Sequence, residues 1–219
     1  MYVKSYQCFF LLLVAFISVV YGNIHGGSFL AMSGKDSVVL ISDSRFSSPK
    51  TGSMLLGKYP RQVIRVGSKC MIGCFGLDND SRTLMHKLRR KLRDHNDEEI
   101  GPENISRVVS DILFNNNLVI SPVIVGLQKD GKPYICTMDG LGAQTVSNKF
   151  AVLGTANEGL LALCESLYSD NLEAPMLIDL AEHCFNMAMQ RDVMSGCDFR
   201  VFTITKDAIH MKDIEKLDV

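Results

Sequence analysis

The sequence predicts an α+β fold built as a four-layer α-β-β-α sandwich. Three observations predict it: β-prone runs come in hairpin-like couples, helical stripes come in couples, and the chain order is strands, two helices, strands, two helices, strands. A sheet has two faces to cover, so two sheets stack on each other and a helix pair covers each outer face.

The chain of 219 residues is 47% hydrophobic and 21% charged, enough to bury a large core without disulfide or metal staples. A net charge of −1 leaves no overall basic footprint for nucleic acid, and no stable membrane partner is expected. The seven cysteines, Cys8, Cys70, Cys74, Cys136, Cys164, Cys184 and Cys197, are odd in number and include no C-x-x-C pair. They read as small buried hydrophobes of a reducing compartment.

Residues 1–24 pull the other way. Lys4 precedes an apolar run from Cys8 to Tyr21, interrupted only by Ser18, with Gly22 beyond. That is the layout of a secretory signal peptide or a propeptide, and it is short for a membrane span. The expected division is therefore 1–24 as a hydrophobic N-terminal segment and 25–219 as one domain.

After Gly26-Gly27, the runs Ser28–Met32 and Ser37–Asp43 flank the turn Ser33-Gly34-Lys35-Asp36. A Ser-, Pro- and Gly-containing loop spans Ser47 to Gly57. Gln62–Val66 and Lys69–Phe75 then flank Gly67-Ser68. These four strands are expected in one antiparallel sheet.

The period then changes from two to about 3.6. A first helix is expected from Asp78 to about His95, with Asp78, Asp80 and Ser81 as cap candidates. Leu84, Leu88 and Leu92 form its core stripe, and the basic residues between them read as a solvated face. Gly101-Pro102-Glu103 opens a second helix with the stripe Ile105, Val108, Val109, Ile112 and Leu113, closed by Asn115-Asn116-Asn117. Its sequon Asn104-Ile105-Ser106 has Ile105 in that stripe and adds little to the case for secretion.

Strands resume at Val123–Gln128 and Tyr134–Met138 around the hairpin turn Lys129-Asp130-Gly131-Lys132, followed by Gln144–Val146 and Phe150–Leu153. A third helix carries Leu160, Leu161, Cys164, Leu167 and Tyr168. A fourth, after Pro175, carries Leu177, Ile178, Ala181, Cys184, Phe185 and Ala188. Phe199–Thr205 and Ala208–Lys212 close the chain as a hairpin around Lys206-Asp207.

No phosphate-binding loop, H-E-x-x-H or G-x-S-x-G motif is present. The histidines His25, His86, His95, His183 and His210 are scattered without ligand spacing.

Several segments, in order, resemble proteasome β subunits: Gly26 to Met32, Ile41-Ser42-Asp43-Ser44-Arg45-Phe46, Ile72 to Asp80, Pro133 to Asp139, Gly154-Thr155-Ala156, and Arg191 to Gly196, which is similar to the family's R-D-x-x-S-G motif. The double Gly and the Ile-Cys-Thr-Met-Asp stretch resemble the β-3 type. The resemblance, over about residues 25–215, implies the N-terminal-nucleophile hydrolase fold. It also implies stacked seven-membered rings of α and β subunits, a cytoplasmic and nuclear location, and no cofactor or metal.

Active members of the family expose a Thr by cutting after a Gly; its hydroxyl attacks and its free amine takes the proton. Carried over by position, the nucleophile falls on Gly27 and the family's Lys on Gln62, leaving Asp43, Arg45, Asp192 and Ser195 as vestigial supports. The resemblance thus implies a non-catalytic subunit. One alternative is a serine nucleophile at Ser28, freed by cleavage behind Gly27. Strand alternation opposes it, because Ser28 projects away from residue 27, and a neutral Gln62 would not depress the amine's pKa. A second alternative is a secreted or anchored binding protein on the same fold.

Overall fold

The computed structural model describes residues 25–44, 46–47, 63–93, 100–192, 195 and 198–215. Twelve strands are assigned among them: β1 His25–Gly26, β2 Phe29–Ser33, β3 Val38–Asp43, β4 Phe46–Ser47, β5 Val63–Val66, β6 Cys70–Gly76, β7 Ile120–Leu127, β8 Pro133–Met138, β9 Gln144–Ser147, β10 Phe150–Leu153, β11 Phe199–Ile204 and β12 Ile209–Ile214. Four helices accompany them: α1 Asp78–Leu92, α2 Pro102–Phe114, α3 Asn157–Leu167 and α4 Ala174–Met189.

The strands form a first sheet in the order β10-β2-β3-β11-β12 and a second in the order β5-β6-β7-β8-β9, with β1 and β4 as a separate pair. Every pairing is antiparallel.

Alternation along the central strands explains the layering. In β2, Phe29 and Ala31 enter the core between the sheets, while Leu30 and Met32 enter the core under α3 and α4. In β6, Met71 faces the inter-sheet core, and Cys70, Ile72 and Cys74 face α1 and α2. Strands sandwiched in this way are apolar on both faces, which is why their sequences are continuous hydrophobic runs. Each fully buried Leu, Ile or Phe contributes about 1.5–3 kcal/mol of transfer free energy. The α-β-β-α sandwich is thus present as expected.

Three expectations need correction. The first four long strands do not share one sheet: β2 and β3 lie in the first sheet, β5 and β6 in the second. Each hairpin forms, but β3 takes β11 as its other neighbour and β6 takes β7. With both faces of β2 and β3 apolar, burial demands a second sheet across the core.

The expected caps of α1 do not cap it. Its N-cap is Leu77, with no side-chain cap bond. Asp80 Oδ2 instead accepts the Val119 amide at 2.8 Å, Asp78 pairs with Arg82, and the Ser81 hydroxyl donates back to the Leu77 carbonyl. The described part of the helix runs to Leu92, and its expected end near His95 lies outside the described residues. On α3, Leu160 and Cys164 are buried, whereas Leu161 and Leu167 are 39% and 43% exposed, so a narrower stripe faces the sheet. The α2 and α4 stripes are buried apart from partly covered Val108 and Ile178, and Cys70, Cys74, Cys136, Cys164 and Cys184 are buried free thiols.

Candidate functional site

The β2–β3 hairpin fixes the first half of the site. Its register sets Phe29 against Ser42, which brings Ser28 opposite Asp43 at the open end. There Asp43 N–H donates to the Ser28 carbonyl at 3.2 Å, and Ser28 N–H donates to Asp43 Oδ1 at 3.0 Å. Asp43 is buried, and a buried carboxylate is tolerated only where such donors replace water. Its carboxylate fills the space beside Gly27: a Cβ placed on residue 27 would overlap it. The constraint on Gly27 is volume, since its φ lies outside the left-handed region.

The second half is a hydroxyl chain ending on a carboxylate. Ser195 Oγ donates to Asp192 Oδ2 at 2.6 Å, and Thr155 Oγ1 donates to the same oxygen at 2.5 Å. With those two protons committed to Asp192, the 2.8 Å contact between Ser28 and Ser195 has the Ser28 hydroxyl as donor. Ser28 Oγ in turn accepts the Ala156 amide at 3.0 Å. The order is Ala156 N–H to Ser28, Ser28 to Ser195, and Ser195 and Thr155 to Asp192.

Gly154 makes this approach possible. Its φ is +109°, and a Cβ there would strike the Gly27 carbonyl and Ser28. The β10–α3 loop therefore crosses the start of β2 at backbone distance, which lets Ala156 N–H reach Ser28. The network thus joins the β2 entry, the β10–α3 loop and the α4–β11 connection.

The structure brings Gly27, Ser28, Asp43, Asp192 and Ser195 into one locality. Arg45 and Gln62 lie outside the described residues, as do residues 1–24. Residue 27 faces the Asp43 carboxylate while Ser28 Oγ faces Ser195, Thr155 and Ala156, so the two neighbours address different partners. Sequence reasoning did not foresee that Ser28 would touch the Asp192–Ser195 unit, nor that Thr155 and the Ala156 amide would complete it. The available signal was Gly154-Thr155-Ala156, a Gly followed by a hydroxyl residue between a strand and a helix. Ser28 is fully buried, so as folded it offers no exposed hydroxyl.

The family described as "Proteasome subunit" matches residues 24–204. The chain belongs to the proteasome subunit family. It is similar to "Proteasome subunit beta type-3-A" of Arabidopsis thaliana, at 32% identity over 191 residues, covering 84% of this chain and 92% of the relative. "Proteasome subunit beta type-3" of Drosophila melanogaster is 32% identical over 192 residues, covering 84% and 92%. The protein of that name from Caenorhabditis elegans is 29% identical over 196 residues, covering 87% and 95%. The whole described network, from Gly27 to Ser195, falls inside the proteasome-family span.

Proposed function

We propose that this chain is a non-catalytic β subunit of the 20S proteasome core, of the β-3 type. In this reading it takes one place in a heptameric β ring stacked with other β and α subunits. It serves ATP- and ubiquitin-dependent protein degradation by shaping the chamber and supporting active neighbours. Residues 25–219 form the ring-building domain, residues 1–24 a separate leader, and the particle works in cytoplasm and nucleus.

One observation carries the non-catalytic part: the place of a side chain at residue 27 is taken by the Asp43 carboxylate. Attack needs a nucleophile and a proton acceptor within hydrogen-bond reach, and Gly27 supplies no such atom. Asp43, Asp192 and Ser195 then act as fasteners, because their bonds tie a strand entry to two loops. The serine alternative at Ser28 is not favoured, since its hydroxyl is buried and already both accepts and donates.

The test is a native pull-down through a C-terminal tag, with sizing and mass spectrometry. Recovery in a large particle with α and β proteasome subunits, and a chain retaining Gly26-Gly27, is the expected result. A small solitary species, or a mature chain beginning at Ser28, would overturn the proposal.

A further inference from the structure

The buried thiols differ in what they can reach. Cys70 and Cys74 stand four residues apart along β6, which at about 3.3 Å per residue is beyond the span of a disulfide. Cys136, on β8, is paired across the sheet with Ile124 and Val146, so neither thiol of β6 lies opposite it. Cys164 and Cys184 are placed otherwise. They sit on neighbouring helices, α3 and α4, and both are fully buried in the core that these helices share with the first sheet.

The helix pairing brings these two level. The start of α3 meets the end of α4, where a Cβ on Gly159 would lie 3.9 Å from Ala188 Cβ. Helices that meet in this way across the short link 168–173 run antiparallel. Moving inward by five residues from Gly159 and four from Ala188 therefore reaches Cys164 and Cys184 at one height. A Cβ separation near 3.9 Å is also the one usual in disulfides, so the two helices already approach as closely as a bridge requires. The thiols are in contact: their mutual hydrogen bond, ahead of burial, raises Cys164, and the same bond holds Cys184 below its ordinary value against the effect of burial. Cys184 thus yields its proton first, with the Cys164 S–H donating to the sulfur left behind.

Access comes through the end of α3. The Tyr168 amide on the Cys164 carbonyl, at 2.9 Å, closes the last turn of the helix, and Leu167 within that turn is exposed. Fraying of this one turn uncovers the sulfurs to a small oxidant, whereas a core at crystalline density has no room for a tripeptide adduct. We infer that Cys164 and Cys184 are a hydroperoxide-sensitive thiol pair that closes reversibly into an α3–α4 disulfide. The Cys184 thiolate attacks one peroxide oxygen, the O–O bond breaks, and the departing hydroxide takes up the proton that Cys184 released, leaving a sulfenic acid. The Cys164 sulfur then attacks that sulfur, the S–O bond breaks, and the Cys164 proton leaves with the hydroxide as a second water. Two thiols lose two electrons and one hydrogen peroxide becomes two waters. A dithiol reductant reverses the bond by exchange. In a reducing compartment such a bond is a transient signal and not a staple. It bears on the site described above: α3 starts directly after Thr155 and Ala156, and α4 ends three residues before Asp192, so the bridge ties together the helices that adjoin both sides of the Ser28 network.

The test uses the full chain as recovered natively through its tag. Hydrogen peroxide is added, remaining thiols are blocked, and the chain is digested with trypsin and a glutamyl endoprotease for mass spectrometry. Trypsin cuts after Lys149 and Arg191, which leaves both cysteines in one peptide free of the others, and cuts after Glu158, Glu165 and Glu182 then separate them. Peptides 159–165 and 183–191 are expected to stay joined after peroxide and to part after a reductant. The oxidised chain is expected to unfold at higher urea than the reduced one, a shift that Cys164→Ser or Cys184→Ser abolishes. With dimedone present during unfolding, peroxide-treated Cys164→Ser is expected to carry the adduct of a sulfenic acid on Cys184, and Cys184→Ser to carry none on Cys164. The wild-type link is read without any substitution, so a variant that fails to fold leaves the test standing. Joining of 183–191 to Cys8, Cys197, glutathione or another chain would overturn the inference. A link that forms only in urea would do the same, as would sulfonic acids on unjoined peptides or a dimedone adduct on Cys164 in place of Cys184.

Discussion

The Asp43 carboxylate lies where a side chain on residue 27 would have to be, and the same carboxylate accepts the Ser28 amide at 3.0 Å. These are two aspects of one arrangement. Asp43 cannot swing aside to admit a larger residue without giving up a charge-assisted bond in a buried setting, and such bonds are worth about 1.5–3 kcal/mol. The absence of a side chain on residue 27 and the buried Asp43–Ser28 bond are thereby coupled.

The first prediction follows directly. Gly27→Thr places a threonine beside Asp43, but it is expected to give no covalent labelling by an electrophile directed at N-terminal threonine. The expected phenotype is reduced incorporation into the particle, from overpacking that typically costs about 1–3 kcal/mol. A labelled band from Gly27→Thr would show that Asp43 yields readily and that the site is one substitution from activity.

The hydroxyl chain supplies the second. Ser195→Ala removes the acceptor of the Ser28 hydroxyl and one donor to Asp192. It is expected to lower unfolding free energy by about 1–3 kcal/mol, the range for an unsatisfied buried partner. Ser28→Ala is expected to cost a similar amount, because it strands the Ala156 amide. The double variant is expected to cost clearly less than the sum, since the two residues share one network. Additive costs in denaturant titrations would mean that the 2.8 Å contact carries no coupling.

Much of this was legible in the sequence, for reasons specific to particular residues. Ile105, Val109, Ile112 and Leu113 announce one buried helix face, and Gly131, at φ +84°, marks a hairpin turn correctly. Gly27, Asp43, Asp192 and Ser195 could be placed by motif order, and all four fall together. Sheet membership was not legible: hairpin signals are local, whereas the choice between one sheet and two depends on which strand takes the free edge of β3. That partner, β11, lies more than 150 residues away in sequence. The cap of α1 failed similarly, because Asp80 serves the Val119 amide across the fold in place of its own helix. Thr155 was visible as part of a motif, but only the positive φ of Gly154 explains how its loop comes within reach of Ser28.

The third prediction concerns the thiols on the helix side of β6. Burial pushes the Cys74 thiol up to about 12 from an ordinary 9.0, opposed only in part by a hydrogen bond with Ser81, and burial raises Cys70 as well. The folded state therefore holds the Cys74 proton between about pH 9 and pH 12, where the unfolded chain releases it. The unfolded state binds fewer protons there, so stability falls as pH rises through that window and is unaffected by this group below it. Iodoacetamide at pH 8 is expected to spare Cys70 and Cys74 in the native chain and to modify both in urea. Denaturation midpoints are expected to drop above about pH 9, with a shallower drop in Cys74→Ala. Rapid native labelling of either thiol would contradict the burial that sets these shifts.

The fourth prediction tests how the two sheets are held apart. A Cβ on Gly73 would meet the Phe29 ring at 2.7 Å and Val123 Cγ1 at 3.1 Å, so the aromatic ring of the first sheet rests on the bare backbone of the second. Phe29 is fully buried, and interiors at crystalline density have no slack to receive one more carbon. Gly73→Ala is therefore expected to destabilise by about 1–3 kcal/mol through displacement of the ring. Phe29→Leu alone is also expected to destabilise, because the shorter side chain leaves part of that space empty. Combined, the added methyl occupies room the ring has vacated, so the double variant is expected to be more stable than the two single costs predict. Urea titration of the four proteins measures the difference. Strict additivity would mean that Phe29 and Gly73 do not bear on each other and that another contact sets the separation of the sheets.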